Sequence, residues 1–407
     1  AKLKVENMSK LGGIMSFQSQ TAVLEQREFR KPQFNLLLWA MLALVAIGIS
    51  AGIYALYAGH HQTLGVTRSV PWGIGISTYA YLAIISTGLC GLAALSHLFG
   101  GNNLAPLANR MVWLSIAAIF GAFLVIGLEL ENVWRMPLGV ILAPNPTSNI
   151  WWMGTLYGMA VGIMMVELYL IITRRFKLAV ILGVCAAVTE LFANSNLGSV
   201  FASLNARPFW YGSQLPIFFL ASAFLSGAAA IVIFTHASYA LRGKKVTGES
   251  FAALQTAGKT MLLLIFMIGL ATGWKFLNAF VGSEAVGDAA RLLTQGPLST
   301  SFWVFELGIG LALPFVLLLA TRLKSIEALS LAALMVLVGQ FFSRLNLVVA
   351  GQLIPQFSDF EGMPAYHHYA PTAPELAMVL SGIGVLGVCF LIGEYFLGDR
   401  FRHHHED

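Results

Sequence analysis

From residue 34 almost to the end of the chain, apolar windows long enough to cross a bilayer follow one another, separated by short polar breaks. Crossing roughly 30 Å of hydrocarbon at about 1.5 Å per residue takes about 20 residues of helix. Lipid offers no water to satisfy backbone amides, so such windows have to be helical. Only 11% of the 407 residues are charged while 57% are apolar. That is less than half the charged share usual in soluble domains, and a water-soluble fold could not cover such a chain. The sequence therefore predicts an all-α, polytopic membrane protein.

Ten spans are expected, at 34–56, 74–99, 111–130, 150–173, 178–192, 217–241, 260–281, 302–320, 326–342 and 376–397. The fifth is the weakest, being short and interrupted near its end by Glu190, Asn194 and Asn196. The first 33 residues mix charges and carry no apolar stretch ahead of a small-residue cleavage site, so no cleavable signal peptide is expected. Lysine and arginine collect on the cytoplasmic side of short loops. The amino-terminal tail, the even-numbered connections and the carboxyl tail hold 18 of them, the odd-numbered connections only Arg68, Arg135, Arg207, Arg291 and Arg344. Both termini are thus expected in the cytoplasm. The five opposite-side cations are all arginine, which suits forked donors held in place better than solvated charges. The formal charge of +5 then needs no nucleic-acid partner.

An offset of 139 residues aligns the second span with the sixth: Arg68 falls on Arg207, Trp72 on Tyr211, Gly73 on Gly212, Gly88 on Gly227, Ser96 on Thr235 and His97 on His236. An offset of four helices preserves direction, so a parallel repeat is expected. The expected organisation is a cytoplasmic tail (1–33), a first helix and loop (34–73), a four-helix bundle (74–193) and a second bundle with the loop leading into it (194–342). A long extracytoplasmic loop with the last helix (343–397) and a cytoplasmic tail (398–407) complete it.

Chemistry is expected from polar residues placed where lipid makes them costly, about 2.5–3.5 kcal/mol for a charge at mid-bilayer on insertion scales. Toward the extracytoplasmic ends lie Glu129, Glu131, Arg135, Glu190, Asn194, Asn196, Arg207, Lys275, Glu306, Arg344 and Glu375, and toward the cytoplasmic ends His97, Glu167, His236 and Glu394. The first group sits beside the aromatic loops SVPWGIG, NPTSNIWWMG and ARPFWYG. Aromatic walls with a few convergent polar groups suit a flat, amphipathic ring such as a quinone. For any one of these residues an interfacial anchor or a satisfied ion pair is the alternative.

The stretch ARPFWYGSQLPIFFLASAFLSG (206–227), with WGIGISTYAYLAIISTGLCG and LELENVWRMPLGVILAPNPTSNIWWMG, resembles the NrfD/PsrC family of membrane subunits. Such subunits occur in polysulfide reductases, nitrite reductases, the second type of uptake hydrogenase and alternative complex III. Ten spans match the longer branch of that family, two tandem four-helix bundles with one extra helix at each end. Many members carry Asp-Leu-Gly-Arg-Pro after the third span; this chain has Glu129-Leu-Glu-Asn-Val, which leaves Arg135 as the local cation.

The resemblance implies a subunit of a bacterial or archaeal cytoplasmic membrane complex that holds no redox centre of its own. Such a subunit turns over a quinone, menaquinone or ubiquinone, near the extracytoplasmic side and exchanges electrons with a docked ferredoxin-like iron-sulfur subunit. Further subunits such as a catalytic subunit or a cytochrome c are implied partners. Cys90, Cys185 and Cys389 each stand alone inside a span, so neither an iron-sulfur cluster nor a haem attachment motif is encoded. Glu129, Glu131 and Glu190 are the proton-exchange candidates, and Trp72, Arg135, Trp152, Arg207, Trp210 and Tyr211 the ring-positioning candidates. His97, Glu167, His236 and Glu394 form a candidate proton path, unless each histidine only bonds a backbone carbonyl or reaches the interface. Two readings compete: a b-type cytochrome using the histidine pair, and a secondary transporter, suggested by the repeats and by Pro314. The tail beginning at Arg402 could bind metal, although a solvated terminus explains it equally.

Overall fold

The computed structural model of the chain describes residues 29, 31–98, 103–282, 284–356 and 364–398; most of the amino-terminal tail and residues 399–407 lie outside them. Among the described residues ten helices are long and apolar enough to span a membrane. They are α1 (Lys31–Ala58), α2 (Ile74–Leu98), α3 (Ala105–Glu129), α4 (Asn149–Ile172), α5 (Phe176–Ala202), α6 (Gln214–Leu241), α7 (Gly248–Val281), α8 (Ser301–Thr321), α9 (Ile326–Leu353) and α10 (Ala373–Leu397). Consecutive crossings place the start of α1 and the end of α10 on one side of the molecule, here the tail side; the opposite side is the far side.

Helices α2–α5 pack as one four-membered ring and α6–α9 as another, joined where α2 and α5 meet α6 and α2 meets α9. The two extra helices, α1 and α10, pair with each other against α3. Helix α2 is the most enclosed of the ten and α1 the least.

The halves meet where the repeat predicts equivalent residues. A Cβ on Gly88 would strike the carbonyl of Ala223 and the amide of Gly227, and one on Gly227 would strike the Gly88 backbone. Small residues that let two backbones touch are the usual way membrane helices gain packing energy, because lipid is as apolar as leucine. His97 and His236 each stand nine residues beyond this crossing and so lie at similar depth.

Several spans outrun their expected ends, for one physical reason. Helix α5 is not broken by its polar residues, because each of them bonds a neighbouring helix: Glu190 reaches α2, Asn194 Nδ2 donates to Phe219 O at 3.2 Å on α6, and Asn196 Nδ2 donates to Asn149 O at 2.7 Å on α4. Glu190 consequently lies at mid-depth and not near the far end. Helix α9 likewise continues to Leu353, so 343–353 is helical and Arg344 belongs inside a bundle, not in a loop. Helix α8 is wound as a π-helix over Ser301–Ala312, just before Pro314, whose missing N–H leaves the preceding turn without its normal hydrogen bond.

Gly88→Val would force α2 and α6 apart against main-chain atoms, at the upper end of the ~1–3 kcal/mol usual for overpacking or beyond it. A clearly lowered unfolding temperature in detergent is expected. Gly162→Ala, where an added Cβ meets nothing within 4 Å, is expected to leave it unchanged or raised.

Candidate functional site

The face of α2 that looks into the first bundle carries Gly75, Tyr79, Ser86, Cys90 and His97, spaced by alternating steps of four and seven. At 100° per residue these positions stay on one stripe, and 22 residues of helix extend roughly 33 Å, about the depth of a bilayer core. Buried polar groups from α3, α4 and α5 meet this stripe along its length.

At the far end Glu129, the last residue of α3, rests its carboxylate directly over Gly75, where any side chain would collide with it. One oxygen, Oε2, is sealed from solvent with no hydrogen-bond partner among the described residues. Tyr369 stands over Gly73; its hydroxyl accepts from Ile74 N at 2.7 Å and donates to Glu375 Oε1 at 3.3 Å. Burial first, and then the Glu375 and Glu129 carboxylates, push the Tyr369 phenol above its ordinary range, so it keeps its proton. Glu375 closes a capping box on α10: its Oε2 accepts from Thr372 N at 2.7 Å, and Thr372 Oγ1 donates to Thr63 O at 2.8 Å. Glu131 diverges from Glu129: it is exposed and faces the still more exposed His61, Nε2 to Oε1 3.8 Å.

Midway, Glu190 is fully buried and accepts from Ser86 Oγ at 3.0 Å and Thr87 Oγ1 at 2.7 Å. Ser86 is joined to Ser115 of α3 at 2.9 Å. Tyr79 and Tyr157, edge to face at 6.3 Å, stand close enough to feel the Glu190 charge. Toward the tail side Glu167, buried against Gly183, lies with Oε1 4.0 Å from His97 Nδ1.

The remaining candidates fall into other groups. Trp72 and Trp210 stack at 5.4 Å with both rings edged by Phe201. Trp210 Nε1 donates to Leu347 O at 2.7 Å, and Gln352 bonds both Trp72 N and Trp72 O. Arg207 donates to the carbonyls of Ile354, Gln352 and Ser69 at 3.1, 3.3 and 3.5 Å, and burial depresses its pKa. These groups bind the far-side loops of both halves to the end of α9. Tyr211 is exposed at the mouth of a separate cavity between α6 and α7. Trp152 sits on the outer rim, donating to Pro146 O at 2.8 Å. Arg135 opens a short helix, Arg135–Leu142, but its side chain lies outside the described residues.

Of the four tail-side residues, only His97 and Glu167 are brought together. His236 turns into the second bundle, with Nδ1 2.7 Å from Ser330 Oγ. Glu394 is clamped between Arg110 (2.7 Å) and Arg242 (3.0 Å) and accepts from Ser238 at 2.6 Å, tying α3, α6 and α10. Sequence reasoning did not single out Tyr369, Tyr79, Tyr157 or the Ser86–Thr87–Ser115 set. The regular spacing of polar and small residues along α2 was the signal that could have found Tyr79, Ser86 and Thr87.

The family model described as "Polysulphide reductase, NrfD" matches residues 62–356. An "Hdr-like menaquinol oxidoreductase integral membrane subunit" of Archaeoglobus fulgidus is 22% identical, covering 90% of this chain and 95% of its own. A selenate reductase subunit of Mesobacillus selenatarsenatis is 21% identical over 88% of this chain and 92% of its own. "Protein NrfD" of Escherichia coli is 24% identical over 70% of this chain and 96% of its own.

Glu394→Gln would leave two buried arginines facing a neutral amide, and breaking one side of a buried ion pair typically costs ~3–5 kcal/mol. Thermal unfolding in detergent is expected to show a large loss of stability; an unchanged midpoint would mean that the clamp is not formed.

Proposed function

We propose, since the chain belongs to the polysulphide reductase NrfD family, that it is the quinone-reactive membrane subunit of a multi-subunit respiratory oxidoreductase. The names of its menaquinol oxidoreductase and selenate reductase relatives support this reading. The single observation that carries the site assignment is the sealed, unpartnered Glu129 oxygen over Gly75, with the Tyr369–Glu375 pair beside it over Gly73.

Quinol oxidation releases two protons and two electrons, and this end of the first bundle has groups suited to the protons. Glu129 accepts a proton from a quinol hydroxyl, since its Oε2 has no competing donor. The second proton passes through Tyr369: its hydroxyl accepts the second quinol O–H while giving its own proton to Glu375 Oε1, so the phenol stays protonated and Glu375 holds the second proton. The electrons leave to a docked ferredoxin-like iron-sulfur subunit on the far side, and the lysine and arginine asymmetry supports a far side outside the cytoplasm. Menaquinone is favoured over ubiquinone by the name of one relative. The stripe through Tyr79, Tyr157, Glu190, Glu167 and His97 carries hydroxyls and carboxylates at several depths between this site and the tail side. It is the natural route for protons, so turnover moves charge across the membrane. Arg207, Trp72 and Trp210 shape the site by fixing the loop that carries Gly73 and leads into Gly75 on the first turn of α2.

In an assembled complex reconstituted into proteoliposomes, Glu129→Gln is expected to lower quinol turnover by ~10²–10⁴, the usual worth of a positioned general base. Glu131→Gln, on the exposed rim, is expected to stay within a few-fold of the parent protein. Glu190→Gln is expected to retain binding of a quinol analogue while abolishing any pH change beyond the scalar chemistry. Equal turnover in the two Glu129 and Glu131 variants would place the site elsewhere.

A further inference from the structure

The second bundle is built around a different set of charges. Arg344 on α9 is fully buried, yet none of its three guanidinium nitrogens has a hydrogen-bond partner among the described residues. Its guanidinium carbon lies over the rings of Phe219 (4.2 Å) and Phe218 (5.3 Å). Lys275 on α7 and Glu306 on α8 stand near enough for all three charges to act on one another. Glu306 is already engaged: Asn346 Nδ2 donates to its Oε2 at 2.6 Å, and Ser301 Oγ bonds Asn346 Oδ1 at 2.6 Å. Two cations against one carboxylate leave a surplus of one positive charge, and Arg291 and Asp288, on the short helix Glu284–Thr294 that follows α7, neutralise each other at 2.8 Å.

This surplus borders a cavity of about 770 Å³ between the first turns of α6 and the last turns of α7. Lys275 lines it, with Nζ 4.0 Å above the Phe209 ring, and Phe218, whose ring Arg344 approaches to 5.3 Å, forms part of its wall. Ile217, Met267, Leu270 and Trp274 frame the opening and are all exposed on the membrane-facing surface. Level with the lysine and below it the walls are aliphatic and aromatic, Trp274 among them; above it comes Asn278, and beside the interfacial Tyr211 come Ser213 and Gln214. A polar rim, one reachable cation and an apolar channel running down between two helices match an anionic head on an acyl chain. A neutral ring would leave the positive surplus unpaired, which a buried site tolerates poorly.

We propose that this cavity holds one anionic phospholipid, its phosphate oxygens on Lys275 and the Ser213–Gln214 rim, and an acyl chain along the α6–α7 channel. The site is separate from the Glu129 region and goes beyond the redox reading. Arg344 does not touch the lipid; it contributes its charge through the Phe218 and Phe219 rings, as a positioning residue for the head group. The lipid fills the gap between α6 and α7 on the far side of the second bundle.

The test uses the complete complex, stripped of lipid in mild detergent and titrated with phosphatidylglycerol or phosphatidylcholine, with bound lipid counted by mass spectrometry. The parent protein is expected to prefer phosphatidylglycerol, with soluble glycerophosphate failing to displace it. Lys275→Met is expected to lower phosphatidylglycerol affinity about fivefold or more, in line with a lysine at an anionic lipid surface, and Lys275→Arg to retain it. Ala271→Trp, which fills the channel without touching the charges, is expected to expel the lipid. Equal binding of both lipids, no change in the variants, or recovery of a quinone released by both variants would overturn the proposal. Quinol turnover on the same samples keeps the two sites distinguishable: Glu129→Gln is expected to lose turnover with lipid binding intact, and Ala271→Trp the reverse.

Discussion

The contact of Gly88 with Gly227 is the constraint on which the rest of the arrangement depends. Two backbones that touch leave no room for adjustment in rotation, so α2 must turn its opposite face into the first bundle and α6 must do the same in the second. That rotation sets Gly75, Tyr79, Ser86, Cys90 and His97 in a line facing α3, α4 and α5. Both ends of the crossing are then tied. On the far side Arg207, Gln352 and the stacked Trp72–Trp210 pair join the loops of the two halves. On the tail side Glu394 draws Arg110 and Arg242 together. Polar groups in lipid make strong ties because no water competes for them and their loss leaves a buried charge alone.

The two halves share a scaffold but not a chemistry. Counted from the first residue of each helix, the fifteenth position is Glu190 in α5 and Gln340 in α9, and the nineteenth is Asn194 in α5 and Arg344 in α9. The first half therefore carries an ionisable carboxylate on its axis where the second carries an amide, and the second carries a buried cation where the first has an asparagine. A proton route fits the first set and an anion-attracting pocket fits the second. The two rings pack alike, and these differences at matched positions explain why they are assigned different work.

Much of the fold was legible because the bilayer imposes a length and an apolar composition on every span, so ten helices follow from hydropathy. Helix ends were less legible. Glu190, Asn194 and Asn196 read as the end of a span because a sequence does not show which polar groups will find partners on other helices, and Arg344 read as a loop residue for the same reason. The site was legible as a set of types and not as a set of neighbours. Glu129 and Glu131 are two residues apart and look equivalent, yet the end of α3 falls between them and sends one inward and the other to the surface. His97, Glu167, His236 and Glu394 share a depth, but helix rotation distributes them among three separate places. Tyr369 escaped notice because nothing local marks a loop tyrosine as the partner of glycines nearly 300 positions earlier.

Every role assigned to Glu129 and Tyr369 rests on quinol binding at the far end of the first bundle. Photolabelling the assembled complex with an azido-substituted quinone, followed by peptide mapping, reads that position directly. Label on the segments 60–75, 128–131 or 366–375 is the predicted result. Label confined to 209–221 and 267–282, the walls of the α6–α7 cavity, would contradict it and would move the redox site into the second bundle.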